Sequence, residues 1–157
     1  MLKLIHKALE IPLVFEIQQK LCQDYNDMRN EFLEYLGTDG QNILDVGCSM
    51  GTAAGVMVNM KANHYVGVDL NSGYIAMAQK RYPDGKFMVM DARDMEFEDN
   101  FFDLTLFMGV LHHLPDDVVR ACLLDIKRVL RRGGHVLVAE PIFTKNWLST
   151  WFLDRDR

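Results

Sequence analysis

Three aspartates close successive apolar runs: Asp45 in ILDVGCSMGTAAG (43–55), Asp69 at the end of HYVGVD and Asp91 at the end of KFMVMD. The first stands beside Gly47 and Gly51, residues that let backbone approach a ligand or take dihedrals closed to other side chains. The N–H groups that open the following helix favour a negative group. With the Asp45 carboxylate in the same place, such a pocket suits an amino-acid zwitterion better than a bare phosphate. Asp69 lies 18 residues beyond Gly51, where a carboxylate can accept both hydroxyls of a ribose. Asp91, followed by Ala92, can accept from an exocyclic amine such as that of adenine. Amino acid, ribose and adenine, in that order, are the parts of S-adenosylmethionine. A single Asp after a strand is more often a cap or turn former; three at successive strand ends beside glycines favour a ligand.

Such residues must be carried by strands ending on one edge, and the pattern provides them. Strand-like runs are NILDV (42–46), HYVGVD (64–69), KFMVMD (86–91), FDLTLF (102–107) and HVLVAE (135–140), with helical runs at 52–61, 72–82 and 116–131. Asn71 or Ser72 is placed to cap the second of these helices, Asp116 or Asp117 to start the third, and Gly133-Gly134 to end it. Continuous apolar strands alternating with helices imply parallel strands covered on both faces. Right-handed crossovers then give a doubly wound α/β sheet of about five strands. Ahead of it, Val14, Ile17, Leu21, Tyr25, Met28, Phe32 and Tyr35 mark an amphipathic helix over 12–36, with Pro12 at its start and Gly37 at its stop. The expected organisation is an N-terminal helical lid or substrate region, 1–38, and a cofactor-binding domain, 39–157.

With these motifs in place, the sequence resembles the class I S-adenosylmethionine-dependent methyltransferases, in particular the small-molecule branch called methyltransferase type 11. DVGCSMG is similar to the family's first motif, D-x-G-C-G-x-G; VGVDLNSGYIAMAQKR to its acidic-strand segment; and FMVMDARDMEF to its third motif. FDLTLFMGVLHHLPD and LLDIKRVLRRGGHVLVAEP are similar to the fourth strand, its loop and the helix-Gly-Gly-strand that follows. The resemblance spans about residues 40 to 141. It implies a Rossmann-like sheet and cofactor contacts from Asp45, Gly47, Cys48, Ser49, Met50, Gly51, Asp69, Leu70, Asp91, Ala92 and Met108. One position departs from the pattern. Ser49 stands where the family has glycine, so a positive φ would strain it, weakening cofactor affinity or rearranging the loop without abolishing binding.

Methyl transfer from a sulfonium is an in-line displacement, so the protein mainly positions two reactants and excludes water. A general base is needed only when the acceptor loses a proton, and histidine suits that task near neutral pH. His112 and His113 follow the fourth strand, where the family places its methyl-transfer centre. His113 is the first candidate and His112 the second; the plainer reading makes LHHLPD a structural junction. The MGVLHHL loop has glycine and histidine where a hard cation would want carboxylates, and two histidines alone do not complete a zinc site, so no metal is expected. Cys48 has no neighbouring base in the sequence and reads as a packing residue. Glu140 either touches the acceptor or caps its strand; Trp147, Trp151 and Phe152 either line an acceptor pocket or dock on the core.

The chain has 157 residues, 49% hydrophobic, with a formal charge of −5. That balance argues against nucleic acid, and Lys127, Arg128, Arg131 and Arg132 are read as cations suiting a helix C-terminus. No apolar run approaches the roughly 20 residues of a membrane span, and the N-terminus lacks the centre and cleavage site of a signal peptide. Three widely spaced cysteines fit a reducing, cytoplasmic setting. The chain stops about 17 residues after its fifth strand, too few for the helix and two further strands of the family's sheet. It is therefore read as truncated, with the fifth-strand edge open to self-association. The leading function is methyl transfer from S-adenosylmethionine to a small-molecule, lipid or sugar-intermediate acceptor. The rival is a cofactor-binding or scaffold protein without turnover, suggested by Ser49 and the short C-terminus. A nicotinamide oxidoreductase is disfavoured because G-x-G-x-x-G is absent, Ser49 occupying its second glycine position.

Overall fold

In the computed structural model, residues 40–55 and 64–140 are described. The expected helix over 12–36, most of that over 52–61, the region 1–38 and the aromatic residues after Pro141 lie outside them. The described strands are β1 (Asn42–Val46), β2 (His64–Asp69), β3 (Lys86–Val89), β4 (Phe102–Met108) and β5 (Leu130–Ala139). They form one sheet in the order β3-β2-β1-β4-β5, and every pairing is parallel. The chain therefore moves outward from β1 to β3, then returns to the other side of β1 with β4. A crevice opens at that reversal, at the carboxyl ends of β1 and β4.

The doubly wound reading follows from burial. Ile43 and Leu44 are adjacent in β1 and point to opposite faces, yet both are fully buried. On one face Leu44, Val46, Val66 and Val68 join Phe102, Phe107, Ile126 and Val129; on the other, Ile43 packs with Ala53, Leu104 and Leu106. Helix α1 (Ser72–Arg81) starts where Asn71 accepts hydrogen bonds from the Gly73 and Tyr74 amides, so Asn71 rather than Ser72 is the cap. Helix α2 (Asp116–Val129) has Asp116 and Asp117 in its first turn. No helix of the described residues is long and apolar enough to cross a membrane.

Two boundaries differ from expectation. Strand β3 ends at Val89, the last residue paired with β2, and the Met90 amide beyond it still donates to the Asp69 carbonyl at 3.1 Å. Helix α2 ends at Val129, and Gly133-Gly134 lies inside β5 rather than stopping the helix. Opposite Phe102–Leu104 the partners jump from Leu130 to His135, an irregularity that the glycines absorb. Gly133 has φ 77°, and a Cβ on Gly134 would come within 3.0 Å of the Asp103 carbonyl oxygen.

The basic cluster is also divided differently. Arg131 and Arg132 belong to β5, and Arg131 pairs with Asp103 at 2.6 Å. Arg128 donates to the carbonyls of Met95 and Phe97, each at 2.6 Å, and to Asp125 at 2.7 Å and Asp99 at 3.0 Å. It pins the segment between β3 and β4 to α2. That segment seals the core with Met95, 2% exposed, and with Phe97, whose ring meets Phe102 edge-on at 5.1 Å.

One buried group works against stability. Thr105 in the centre of β4 is fully buried, and its hydroxyl has no hydrogen-bond partner among the described residues. A buried hydroxyl without a partner carries a desolvation penalty of about 1–3 kcal/mol. Thr105→Val should therefore stabilise the protein by about 1 kcal/mol, read as a higher urea midpoint at unchanged slope.

Candidate cofactor and acceptor site

The glycine turn after β1 is built from alternating left-handed residues: Gly47 at φ 70°, Ser49 at 52° and Gly51 at 74°. The amides of Gly47 and Cys48 both donate to the Val68 carbonyl, at 2.8 and 3.0 Å, fastening the turn to the end of β2. Glycine is required at 47 twice over. Besides the positive φ, a Cβ there would stand 2.5 Å from Val110 Cγ2, so the loop after β4 packs directly on the turn. At Gly51 a Cβ would crowd the rings of Phe87 and Tyr82 at 3.1 Å.

Ser49, standing where the family has glycine, adopts the strained left-handed conformation, and its amide donates to Asp69 Oδ2 at 3.0 Å. Asp69 Oδ1 accepts from the Asn71 amide at 2.8 Å. Burial pushes the Asp69 carboxyl up from its ordinary range, against the lowering by the Asn71 and Ser49 amides. An ionised carboxylate offers about four lone-pair sites, so two amides leave acceptor capacity at the end of β2. Leu70, beside it, is 67% exposed and supplies an apolar surface.

The other expected contacts divide by depth. Cys48 and Met50 are 4% and 1% exposed, so their side chains belong to the core and only their backbone can line a ligand. Burial pushes the Cys48 thiol well up, aided by Asp45 and Asp69, which suits packing rather than reactivity. Cys48 fits because a Cβ on Gly67 would stand 2.8 Å from its Sγ. Asp45 is 2% exposed and accepts a 2.5 Å hydrogen bond from the Tyr65 hydroxyl, so its carboxylate lies beneath the turn. Asp91 is bound by Arg93, through the amide at 2.9 Å and the guanidinium at 2.5 Å. The Arg93 side-chain bond, then its amide, holds the Asp91 carboxyl low. Asp91 and Arg93 line an open groove of about 680 Å³ with Met88, Val89, Met90 and Asp94, at the outer strand and apart from the glycine turn. Ala92 and Met108 are partly buried, against the first and second core clusters.

Beyond Met108, Gly109 turns with φ 70° and donates to the Ala139 carbonyl at 2.8 Å. A 3-10 turn, Leu111–His113, follows. Glu140 closes over it. Its Oε1 accepts from the amides of Val110 at 3.0 Å and Leu111 at 2.9 Å, and its Oε2 lies 2.6 Å from His112 Nδ1. Burial by itself raises the Glu140 carboxyl, but His112 and the Leu111 and Val110 amides together hold it below its ordinary value. His113 is exposed, and its ring lies 3.8 Å from that of His112 at 41°. Among the described residues no group of three or more His, Cys, Asp or Glu could hold a metal ion. The sequence had offered Glu140 as an acceptor contact or strand cap; its grip on a turn 28 residues away has no local signal. Tyr65, Val110 and Gly67 were likewise not singled out.

A family profile described as "Methyltransferase domain" matches residues 43–134. The chain belongs to this methyltransferase domain family, and its sheet is the Rossmann-like sheet of class I S-adenosylmethionine-dependent methyltransferases. It is 29% identical over 147 residues to phthiotriol/phenolphthiotriol dimycocerosates methyltransferase 1 of Mycobacterium ulcerans, covering 92% of this chain and 53% of that protein. It is 33% identical over 107 residues to O-methyltransferase rstn1 of Aspergillus nomiae, covering 64% of this chain and 47% of that one. Among solved structures, an S-adenosylmethionine-dependent methyltransferase from Mesorhizobium loti matches at TM-score 0.60 and 25% identity, over 67% of this chain and 48% of the other. The chain thus spans about half the length of these relatives.

The turn makes a paired prediction. Gly47→Ala must move Val110 and strain a left-handed residue, so it should destabilise the protein by on the order of 1–3 kcal/mol. Ser49→Gly removes both the strain and a buried hydroxyl without a partner among the described residues. It should stabilise by about 1 kcal/mol. Urea unfolding of the two variants checks the opposite signs.

Proposed function

We propose that the protein transfers a methyl group from S-adenosylmethionine to an oxygen or nitrogen nucleophile of a small-molecule or lipid acceptor. The observation that carries this reading is the placement of Asp69 against the glycine turn, its carboxylate bonded to the Ser49 amide at 3.0 Å and flanked by exposed Leu70. In this reading the backbone of Gly47 to Gly51 approaches the methionine moiety, Asp69 receives the ribose hydroxyls and Leu70 covers the adenine. Asp91 and Ala92 meet the exocyclic edge of the base, where Arg93 must share the carboxylate. Met108 borders the methyl group. Bound S-adenosylmethionine supplies an activated methyl on a sulfonium.

The acceptor class is supported by the relatives. One is named a phthiotriol/phenolphthiotriol dimycocerosates methyltransferase, one an O-methyltransferase, and a third, 32% identical over 63% of this chain, phosphoethanolamine N-methyltransferase 2 of Caenorhabditis elegans. Incubation with S-adenosylmethionine and either phosphoethanolamine or a long-chain primary alcohol in detergent micelles tests this by mass spectrometry. Formation of S-adenosylhomocysteine with a methylated product supports turnover. Cofactor binding with neither product favours the rival scaffold reading.

The cofactor assignment has its own measurement. Asp69→Ala removes a charged acceptor from two hydroxyl donors, each bond contributing about 1.5–3 kcal/mol. Calorimetry should show at least a roughly tenfold weaker S-adenosylhomocysteine affinity; unchanged affinity contradicts the assignment. NAD should bind far more weakly than S-adenosylhomocysteine, since the G-x-G-x-x-G turn that seats a pyrophosphate is absent.

A further inference from the structure

We propose that Arg93 is a specificity-determining residue at the base end of the cofactor site: its hold on Asp91 opposes the 6-amino group of adenine and admits a 6-oxo purine. The inference rests on the methyl-transfer reading above, in which Asp91 meets the exocyclic edge of the base. It deepens that reading by naming what competes there. Oδ1 of Asp91 accepts from the Arg93 amide at 2.9 Å and from Nε at 3.0 Å. Oδ2 accepts from Nε at 3.0 Å and from Nη2 at 2.5 Å. A carboxylate offers about four lone-pair sites on its two oxygens, so these contacts fill it. Asp69 differs, accepting one amide on each oxygen and keeping room for the ribose hydroxyls. Of the two carboxylates assigned to the nucleoside, one is open and the other is taken.

The pair sits where an exchange can occur. The Arg93 and Asp91 side chains are 53% and 33% exposed, and both line the open groove at the outer strand. Releasing the guanidinium therefore opens nothing in the core. Among the described residues the guanidinium bonds only to Asp91. That bond is the first cause that raises Arg93 above its ordinary value, and the charge of Asp117, in the first turn of α2, adds last. A second carboxylate thus stands ready for a displaced Arg93. Adenine presents an N–H donor at position 6 and must take an oxygen from Arg93. A 6-oxo purine presents a carbonyl there, which cannot bond Asp91 and accepts from the guanidinium instead. An exposed ion pair contributes little, so the competition tunes selectivity and does not block binding.

Calorimetry on the full chain with S-adenosylhomocysteine and its 6-oxo analogue, S-inosylhomocysteine, tests this. A site with a free acceptor for the amine would reject the analogue strongly; the wild type should prefer adenine by less than about tenfold. Arg93→Met keeps the stem and removes every side-chain donor. It should bind S-adenosylhomocysteine about two- to fivefold more tightly, the effect of breaking an exposed ion pair, and S-inosylhomocysteine more weakly by a similar factor. The preference for adenine then widens by about tenfold. Arg93→Lys, a point charge without the planar fork, should fall between the two. A general loss of structure would weaken both ligands alike, so the ratio reads the contact and not the fold. An unchanged preference in folded Arg93→Met overturns the proposal, and so does weaker binding of S-adenosylhomocysteine by that variant. Where the variant fails to fold, the wild type decides alone, and an adenine preference above about tenfold overturns it. Absence of S-adenosylhomocysteine binding by the wild type removes the methyl-transfer reading, whereas binding with an unchanged preference removes only the role of Arg93.

Discussion

The Val68 carbonyl, receiving the amides of both Gly47 and Cys48, is the contact on which the site depends. It stops the chain leaving β1 from drifting outward and folds it back over the end of β2. Once held there, the Ser49 amide lies within reach of Asp69, and the left-handed residues at 47, 49 and 51 follow as the path that connects them. Beneath the turn the space is filled by Cys48 against Gly67 and by Phe87 against Gly51. The turn is thus supported by packing from below and by amide–carbonyl bonds from the side.

A second constraint works from the opposite side of the crevice. Glu140, at the end of β5, gathers the amides that begin the turn after β4 and the ring of His112. Backbone N–H groups at the start of such a turn have no ladder partner, and a carboxylate reaching them satisfies several at once. Because Val110 in that turn also packs on Gly47, the two halves of the crevice meet through one side chain. Arg128 performs a comparable task farther out, holding the segment between β3 and β4 by its carbonyls. Both are charged groups used to fasten loops across the sheet.

Much of this was legible in the chain because it is local. The limits of β1 and β2 follow from apolar runs bounded by polar residues, and Asn71 with Ser72 marks the start of α1. At Ser49 the sequence left two outcomes, a strained positive φ or a rearranged loop, and the structure shows the first, φ 52°. Where the expectation missed, a distant partner decided. Gly133-Gly134, which resembles a helix stop, lies inside β5 between Leu130 and His135, both of which pair with β4. Arg131, read as part of a helix terminus, is turned by Asp103.

The sequence by itself determined the class of fold, the strand edge on which the aspartates lie and the resemblance that ties that edge to S-adenosylmethionine. Periodicity and short-range turn chemistry act within a few residues and are written directly in the order of side chains. Tertiary structure alone decided which carboxylates stay near the surface, because depth depends on what packs above. Asp45 sinks against Tyr65, Asp69 is shared between two amides, and Asp91 is taken by Arg93. It also decided that His112 and His113, neighbours of the same type, differ. One ring meets a carboxylate from 28 residues away and the other faces outward, a distinction made only when β5 is laid beside β4.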